Sequence, residues 1–409
     1  MMAPERTRHE WTAVFSGGGT GGHLYPALAL AQALTERRPD VGAYFVGALR
    51  GVEARILPRR GVEHLLLPVE GFRRDAPARN LGVVGNLVRS LGQVAHLFQQ
   101  RRPRLVVVTG GYAGGPAGIM AALMGVHLVL QEQNAVPGVT TRFLARFARQ
   151  IHLAFPEAVE YLPRGARSRA RISGNPVRPP RAVDRRESAR RFQLDPDIPV
   201  VLVVGGSQGS RAINRAILDA VATEVQASTP EEVSAAMVDT GPGLQLLWST
   251  GPDHLEAIQE GLNRLGSPSW VRPMGYIEAM EEALGLAQVT VSRAGAMATS
   301  EFLAWGLPAI LVPLPSAAAD HQRRNARALA QAGAALILEE ETLEGEALWR
   351  GVQDLVRDRS ARKRMAAAAR QRGRPHAATE IARELDTLLP QPAPRGQVPS
   401  RRTERREEP

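Results

Sequence analysis

The sequence predicts an α/β protein of two doubly wound, Rossmann-like domains, each with a parallel sheet, facing one another across a cleft. Three observations predict it. The chain has 409 residues, more than one hydrophobic core usually serves. Short apolar runs alternate with helical patterns in both halves, as in successive βαβ units. The alternation then restarts after a proline-rich joint, Gly174 to Pro180, and each half opens with a strand running into a glycine-rich turn and a helix.

In chain order, Thr12 to Ser16 reads as a strand, Tyr25 to Arg37 as a helix and Val41 to Gly47 as a strand. A long helix follows from about Leu81 to Gln100, then strands at Leu105 to Thr109 and His127 to Gln131. The stretch from Leu105 to Leu130 carries no charged side chain and imitates a membrane span. Its glycines and Pro116 divide it into strand, loop, short helix and strand, the pattern of a buried parallel-sheet unit. Past the joint, strands are expected at Val200 to Val204, Gln245 to Ser249, Trp270 to Arg272, Val289 to Ser292 and Ala309 to Val312, with a helix from about Arg211. The polar segment Thr223 to Gly243 reads as a helix extension plus loop. The expected division is 10–178 and 181–374, with a tail of Pro, Arg and Glu, 391–409, that has little to bury and is expected to be disordered.

Composition narrows the chemistry. There is no cysteine, which removes disulfides, thiolate metal sites and a Cys nucleophile, and suits a reducing compartment. The net charge of +10 is carried almost entirely by arginine, since Lys363 is the only lysine. No Gly-Lys-Ser/Thr tripeptide exists, so a P-loop is excluded. The arginine excess favours phosphate-bearing partners or an anionic membrane. It is scattered and lacks interleaved aromatics, so a nucleic-acid partner is not expected. Met1 to Glu10 is polar and leads straight into a strand, so no signal peptide is expected, and no metal-ligand cluster stands out.

Four glycine loops carry the functional signal. Gly17-Gly18-Gly19-Thr20-Gly21-Gly22-His23 contains G-x-G-x-x-G between a strand and a helix, a pattern suited to cradling an anion with backbone N–H groups and a helix N-terminus. A dinucleotide site would want an acid at the end of the second strand, and Phe45-Val46-Gly47-Ala48 has none. Gly110-Gly111-Tyr112, Gly205-Gly206-Ser207-Gln208-Gly209 and Arg293-Ala294-Gly295-Ala296 end three further strands. Each loop alone could be a tight turn; four at strand carboxyl ends imply a cleft floored by anion-binding backbone.

The ordered set Gly18 to His23, Gly110-Gly111-Tyr112, Gln131-Glu132-Gln133-Asn134, Gly174-Asn175-Pro176-Val177-Arg178, Gly205 to Gly209 and Arg293 to Asn325 resembles the MurG family of peptidoglycan N-acetylglucosaminyltransferases, glycosyltransferase family 28, over about Val14 to Asn325. The resemblance implies a GT-B architecture and inverting transfer of N-acetylglucosamine from UDP-GlcNAc to lipid I, with no metal or other cofactor. It also implies that a last helix, 375–390, crosses back onto the first domain. Thr20, Gly21 and Gly22 would lie by the donor phosphates or the acceptor, Asn134 by the transferred sugar, Arg178 and Ser207 by the donor, and Ile277 beside the uracil. Ala296, Met297, Ala298, Thr299, Ser300 and Glu301 match the donor loop, with Glu301 accepting from the ribose diol. Gln322 and Asn325 would face the donor sugar, and Gly19, Gly111 and Tyr112 the acceptor. The family usually has threonine at Ala298, leaving open whether Thr299 supplies that hydroxyl. The segment 223–243 exceeds the family's usual length.

Direct displacement needs a base for the acceptor hydroxyl and positive charge for the departing diphosphate. His23 is the first candidate base, with a purely hydrogen-bonding role equally open; Glu132 is the second. Arg178 and helix N-termini would supply the charge. Val84, Leu87, Val88, Leu91, Val94, Ala95 and Phe98 recur at helical spacing amid Arg73, Arg74, Arg79, Arg89, Arg101, Arg102 and Arg104. They suit either a helix packed on its sheet or contact with an anionic leaflet. The resemblance implies the cytoplasmic face of the inner membrane as the location, with cell-wall and division proteins as further partners. A UDP-GlcNAc 2-epimerase and a transferase to another lipid acceptor are the rival activities.

Overall fold

The computed structural model describes residues 9–71, 80–227 and 242–391. The first half holds seven strands: β1 (Trp11–Ser16), β2 (Val41–Ala48), β3 (His64–Leu67), β4 (Leu105–Val108), β5 (His127–Glu132), β6 (Gln150–Leu153) and β7 (Ala170–Ile172). The second holds six: β8 (Val200–Val204), β9 (Gln245–Ser249), β10 (Val271–Met274), β11 (Ala287–Ser292), β12 (Ala309–Leu311) and β13 (Ala335–Ile337). Every pairing is parallel. The orders are β3-β2-β1-β4-β5-β6-β7 and β10-β9-β8-β11-β12-β13. Two doubly wound sheets are therefore present.

The helices of the first half are α1 (Gly21–Arg37), α2 (Glu53–Arg59), α3 (Asn80–Arg101), α4 (Gly114–Leu123) and α5 (Val139–Leu144). Those that follow are α6 (Arg185–Arg191), α7 (Arg211–Ala227), α8 (Leu255–Arg264), α9 (Met280–Leu286), α10 (Ala296–Trp305), α11 (His321–Gln331), α12 (Gly345–Arg357), α13 (Arg359–Arg372) and α14 (Ala377–Asp386). Local chemistry explains their ends. The Ser210 hydroxyl accepts from the Ile213 N–H at the start of α7, and Asp358 accepts from Ala361 N–H at the start of α13. Ile213, Ile217, Ala220 and Val221 form the buried face of α7.

Strands β1, β4, β5, β8, β9 and β11 are sandwiched between helices, and their Val, Leu and Phe side chains fill the cores on both faces. α14 packs against α1 through Ala377, Ile381, Ala382 and Leu385, beside Leu24, Ala27 and Leu34. Asp386 adds ion pairs to Arg37 and Arg38. The chain thus ends its fold on the sheet where it began.

Several elements differ from the sequence expectation. α1 begins at Gly21, four residues before Tyr25, so Gly21, Gly22 and His23 form its first turn. β10 starts at Val271 and runs to Met274, because its register on β9 pairs Val271 with Leu246. β3, β6, β7 and β13 were not expected: each has only three or four residues, too few for periodicity to mark. α7 does extend to Ala227; residues 228–241 and the tail beyond 391 lie outside the described residues.

Candidate active site

The strand orders bring the four glycine loops together in pairs. β1 lies beside β4 and β8 beside β11, the points at which each sheet reverses its winding. Close packing around these loops demands glycine at two positions, against the β1 loop in the first domain and against the turn after β9 in the second. Gly111 has φ +73°, and a Cβ there would strike the carbonyl of Gly18; Gly209 has φ +76°, and a Cβ there would strike the carbonyl of Thr250.

Two connected cavities occupy the cleft. One, of about 660 Å³, is lined by Thr20, Gly21, Gly22 and His23 from the first domain and by Ser207, Ala296, Ala298, His321 and Gln322 from the second. The other, of about 750 Å³, is lined by Arg178, Arg181, Ile277, Glu278, Met280 and Trp305. Tyr25, Met297 and Glu301 line both and mark their junction.

His23 sits in the first turn of α1 with its proton placement fixed. Its Nδ1 lies 2.8 Å from Gln133 Oε1 and 3.1 Å from the Thr109 carbonyl. Gln133 Nε2 donates to the Thr109 and Gln131 carbonyls, so the facing Gln133 atom is the acceptor oxygen. Both partners of Nδ1 are acceptors; the proton therefore resides on Nδ1 and Nε2 keeps a free lone pair. Thr109 Oγ1 also donates to the His23 carbonyl at 2.7 Å, tying the helix start to the β4 loop.

Glu132 is otherwise occupied. Its Oε1 accepts from the N–H groups of Gln133 and Asn134, each at 3.1 Å, and its Oε2 accepts from Gly138 N–H. A carboxylate buried to 2% exposure and wrapped by its own loop orients that loop, and acting as a base would require it to loosen these bonds. Asn134 donates to Glu132, and its Oδ1 accepts from Asn325 across the cleft at 3.2 Å. Asn325 is fully buried; its Oδ1 accepts from Ala135 N–H and its Nδ2 also donates to the Ala294 carbonyl. Asn325 thus clasps the two domains together while still lining the first cavity. Gln322 lines the cavity, with its Oε1 accepting from Leu314 N–H.

The donor loop divides in the same way. Ala296, Met297, Ala298 and Glu301 line the first cavity. Thr299 is fully buried and its hydroxyl donates back to the Gly295 and Ala296 carbonyls, so it does not replace the hydroxyl missing at Ala298. Ser300 Oγ accepts from Asn175 Nδ2 at 2.9 Å and lines neither cavity. Arg178 reaches Glu281 at 3.1 Å and lines the second cavity with Glu301, not the first with Ser207. Burial pushes the Glu301 carboxyl up to about 7, with Arg178 opposing and Glu281 reinforcing the shift. Ile277 is buried behind the second cavity. Gly19, Gly111 and Tyr112 line neither cavity; the Tyr112 ring packs on Gly19.

Sequence reasoning missed three supports. Glu53 is fully buried and accepts from Gly19 N–H with both oxygens at 3.0 Å and from Ala48 N–H at 2.8 Å. The first glycine loop therefore already holds a carboxylate of its own, and Gly19 N–H is not free for a ligand. The first-turn N–H groups of Gly21 and Gly22, which have no intrahelical partner, remain. Asn175, in the joint, donates to the Gln133 and Ala296 carbonyls and accepts from Gln131, linking both loops. Glu53 carries no local signal, because its partners come from two other segments. His321, the first residue of α11, also lines the cavity.

Among the described residues no group of three or more His, Cys, Asp or Glu side chains is placed to hold a metal ion. The glycosyltransferase family 28 N-terminal domain matches residues 13–153 and the family's C-terminal domain matches 200–381. The UDP-N-acetylglucosamine–N-acetylmuramyl-(pentapeptide) pyrophosphoryl-undecaprenol N-acetylglucosamine transferase of Chlorobaculum tepidum is 38% identical, covering 92% of this chain and 98% of its own. The enzyme of the same name from Moorella thermoacetica is 41% identical over 90% of this chain and 96% of its own. The crystal structure of Acinetobacter baumannii MurG superposes with a TM-score of 0.71 at 25% identity, covering 92% of this chain and 99% of that one. The fold is thus the two-domain GT-B architecture, and the chain belongs to glycosyltransferase family 28, as a member of its N-acetylglucosaminyltransferases.

Proposed function

We propose that this chain transfers N-acetylglucosamine from UDP-GlcNAc to the 4-hydroxyl of the MurNAc-pentapeptide of lipid I, with inversion, giving lipid II for peptidoglycan. The observation that carries the mechanism is the fixed His23 imidazole, its bare Nε2 beside a cavity that both sheets line. In the reaction the acceptor oxygen bonds to the anomeric carbon and its proton passes to His23 Nε2. The bond from that carbon to the diphosphate breaks and its electron pair leaves with UDP. The free N–H groups of Gly21 and Gly22 and the Ser207 loop supply positive partial charge to the departing group. Glu301 accepts from the ribose hydroxyls at the junction of the cavities, and Ile277 packs beside the uracil. Gln322 contacts the donor sugar, while Asn134 reaches it when the clasp to Asn325 exchanges for a ligand.

The acceptor is lipid-linked, so the protein must work at a membrane surface, and we assign it to the cytoplasmic face of the inner membrane. No described helix is long and apolar enough to cross a bilayer. The apolar stripe of α3 divides: Val94 and Phe98 are buried, while Val84 and Val88 are exposed. Leu123, Met124, Val139, Phe143 and Phe147 are exposed on and beside α4 and α5, with Arg142 and Arg146 each immediately preceding one of the aromatics. This surface supports docking on an anionic leaflet. Arg73, Arg74 and Arg79 lie outside the described residues.

The deciding experiment is UDP release from UDP-GlcNAc with and without a lipid I analogue. Acceptor-dependent release with a disaccharide-lipid product is expected. Release without acceptor, accompanied by N-acetylmannosamine, would establish an epimerase instead.

A further inference from the structure

We propose that His321 is a second functional imidazole of this site, held in the opposite tautomer to His23, and that its Nε2–H donates a hydrogen bond to an oxygen of the donor's sugar–diphosphate; the proposal rests on the transferase reading above. His321 opens α11 and lines the same cavity as His23, from the opposite domain. Its Nδ1 is sealed from solvent and has no hydrogen-bond partner among the described residues. A proton on that nitrogen would strand a buried N–H, and the imidazolium would strand one as well. The favoured form is therefore neutral, with the proton on Nε2.

The surroundings agree. Burial pushes the imidazole down from its ordinary value; Glu132 from the β5 loop and Asp320 oppose this, while His23 from α1 and Arg324 reinforce it. The α11 N-terminus has no side-chain cap and no acid in its first turn. His321's own N–H donates to the Ala318 carbonyl, and the following first-turn N–H groups add positive partial charge that suits an electron-rich ligand. The two imidazoles then divide the work. His23 accepts the acceptor's proton, while His321 stays neutral and stabilises oxygen on the donor side. A neutral donor holds its proton throughout the transfer and so does not compete with His23 for it.

The test combines nitrogen-15 imidazole spectra of the whole unliganded protein with kinetics of H321Q and H321F. The spectra should show Nδ1 bare and Nε2 protonated on His321 from about pH 6 to 8. Gln can place an amide donor close to the position of Nε2, so H321Q should keep kcat/KM for UDP-GlcNAc within about 3-fold of the parent. H321F, with an unchanged Tm, should lose about 10- to 100-fold. Both should keep the acid limb of the parent's pH–rate profile. A proton on Nδ1, a parent-like H321F, an H321Q as impaired as H321F, or loss of the acid limb in H321Q would overturn the proposal. A parent that makes no acceptor-dependent product would instead sink the transferase reading, and the spectra, which need no turnover, would still decide the tautomer.

Discussion

Glu301 gives the donor site a pH dependence whose size follows from the structure. Its carboxyl is pushed up to about 7 by burial, against an ordinary value of 4.5. A ribose diol offers two O–H donors, so the ligand selects the ionised form. If only that form binds, apparent affinity weakens by a factor of 1 + 10^(7 − pH), which is roughly 10-fold between about pH 8 and pH 6. UDP-GlcNAc is the right probe, because its diphosphate is esterified at both ends and does not titrate in this range. Calorimetry should also show about half a proton released on binding near pH 7, read from buffers of different ionisation enthalpy. Stability must move the opposite way to affinity. The folded value exceeds the unfolded one, so the folded chain holds the extra proton between about pH 4.5 and 7 and stability falls as pH rises through that window. A carboxyl moved from 4.5 to about 7 corresponds to roughly 3 kcal/mol, and Glu301→Gln should recover much of it at about pH 8 while flattening the pH dependence of binding. Equal affinity at both pH values, or an unchanged dependence in Glu301→Gln, would refute the reasoning.

Four other outcomes are expected. His23→Ala should lower kcat by about 10²- to 10⁴-fold with UDP-GlcNAc affinity little changed; a loss below about 10-fold in single-turnover assays would leave His23 a positioning role only. Glu53→Ala strands the Gly19 and Ala48 N–H groups in a buried site and should cost about 2–5 kcal/mol, measurable by denaturant titration. Phe143→Ser combined with Phe147→Ser should reduce sedimentation with anionic vesicles while sparing turnover of a soluble acceptor analogue. His152 is buried and held near 4, so the first domain should lose stability as pH falls from about 6.5 toward 4, and a His152→Gln variant followed by thermal melts should lack that slope.

The two-sheet plan was legible because β1, β4, β8 and β11 are apolar runs that end in glycine loops, and their order in the chain restarts after Gly174. Short edge strands were not legible: β7 and β13 have three residues each and exist because a neighbouring strand offers them a ladder. Among site residues, local strings located His23, Ser207, Gln322 and Glu301, all of which line the first cavity. The same strings could not say which side chains are turned inward. Thr299 and Ser300 sit one and two residues past Ala298, but helix geometry points both away from the cavity wall. Arg178 was legible as a charge near the donor but not as the partner of Glu281, which lies 103 residues further along the chain.

Three glutamates show what separates a structural carboxylate from a functional one in this fold. Glu53 and Glu132 are both buried and both receive backbone N–H groups, Glu53 from the β1 and β2 loops and Glu132 from the turn that follows β5. Those donors compensate the buried charge and fix the loops, so each carboxylate is already engaged by its own backbone. Glu301 stands where two cavities join and receives no hydrogen bond from any described residue. Its charge is left uncompensated until a ligand brings hydroxyl donors. The Arg178–Glu281 pair beside it is then best understood as tuning that deficit: Arg178 favours the ionised form and Glu281 opposes it. The donor site is thus incomplete by one set of hydrogen bonds, and the missing set has the geometry-independent requirement of being donated, which a ribose diol meets and a deoxyribose meets only in half.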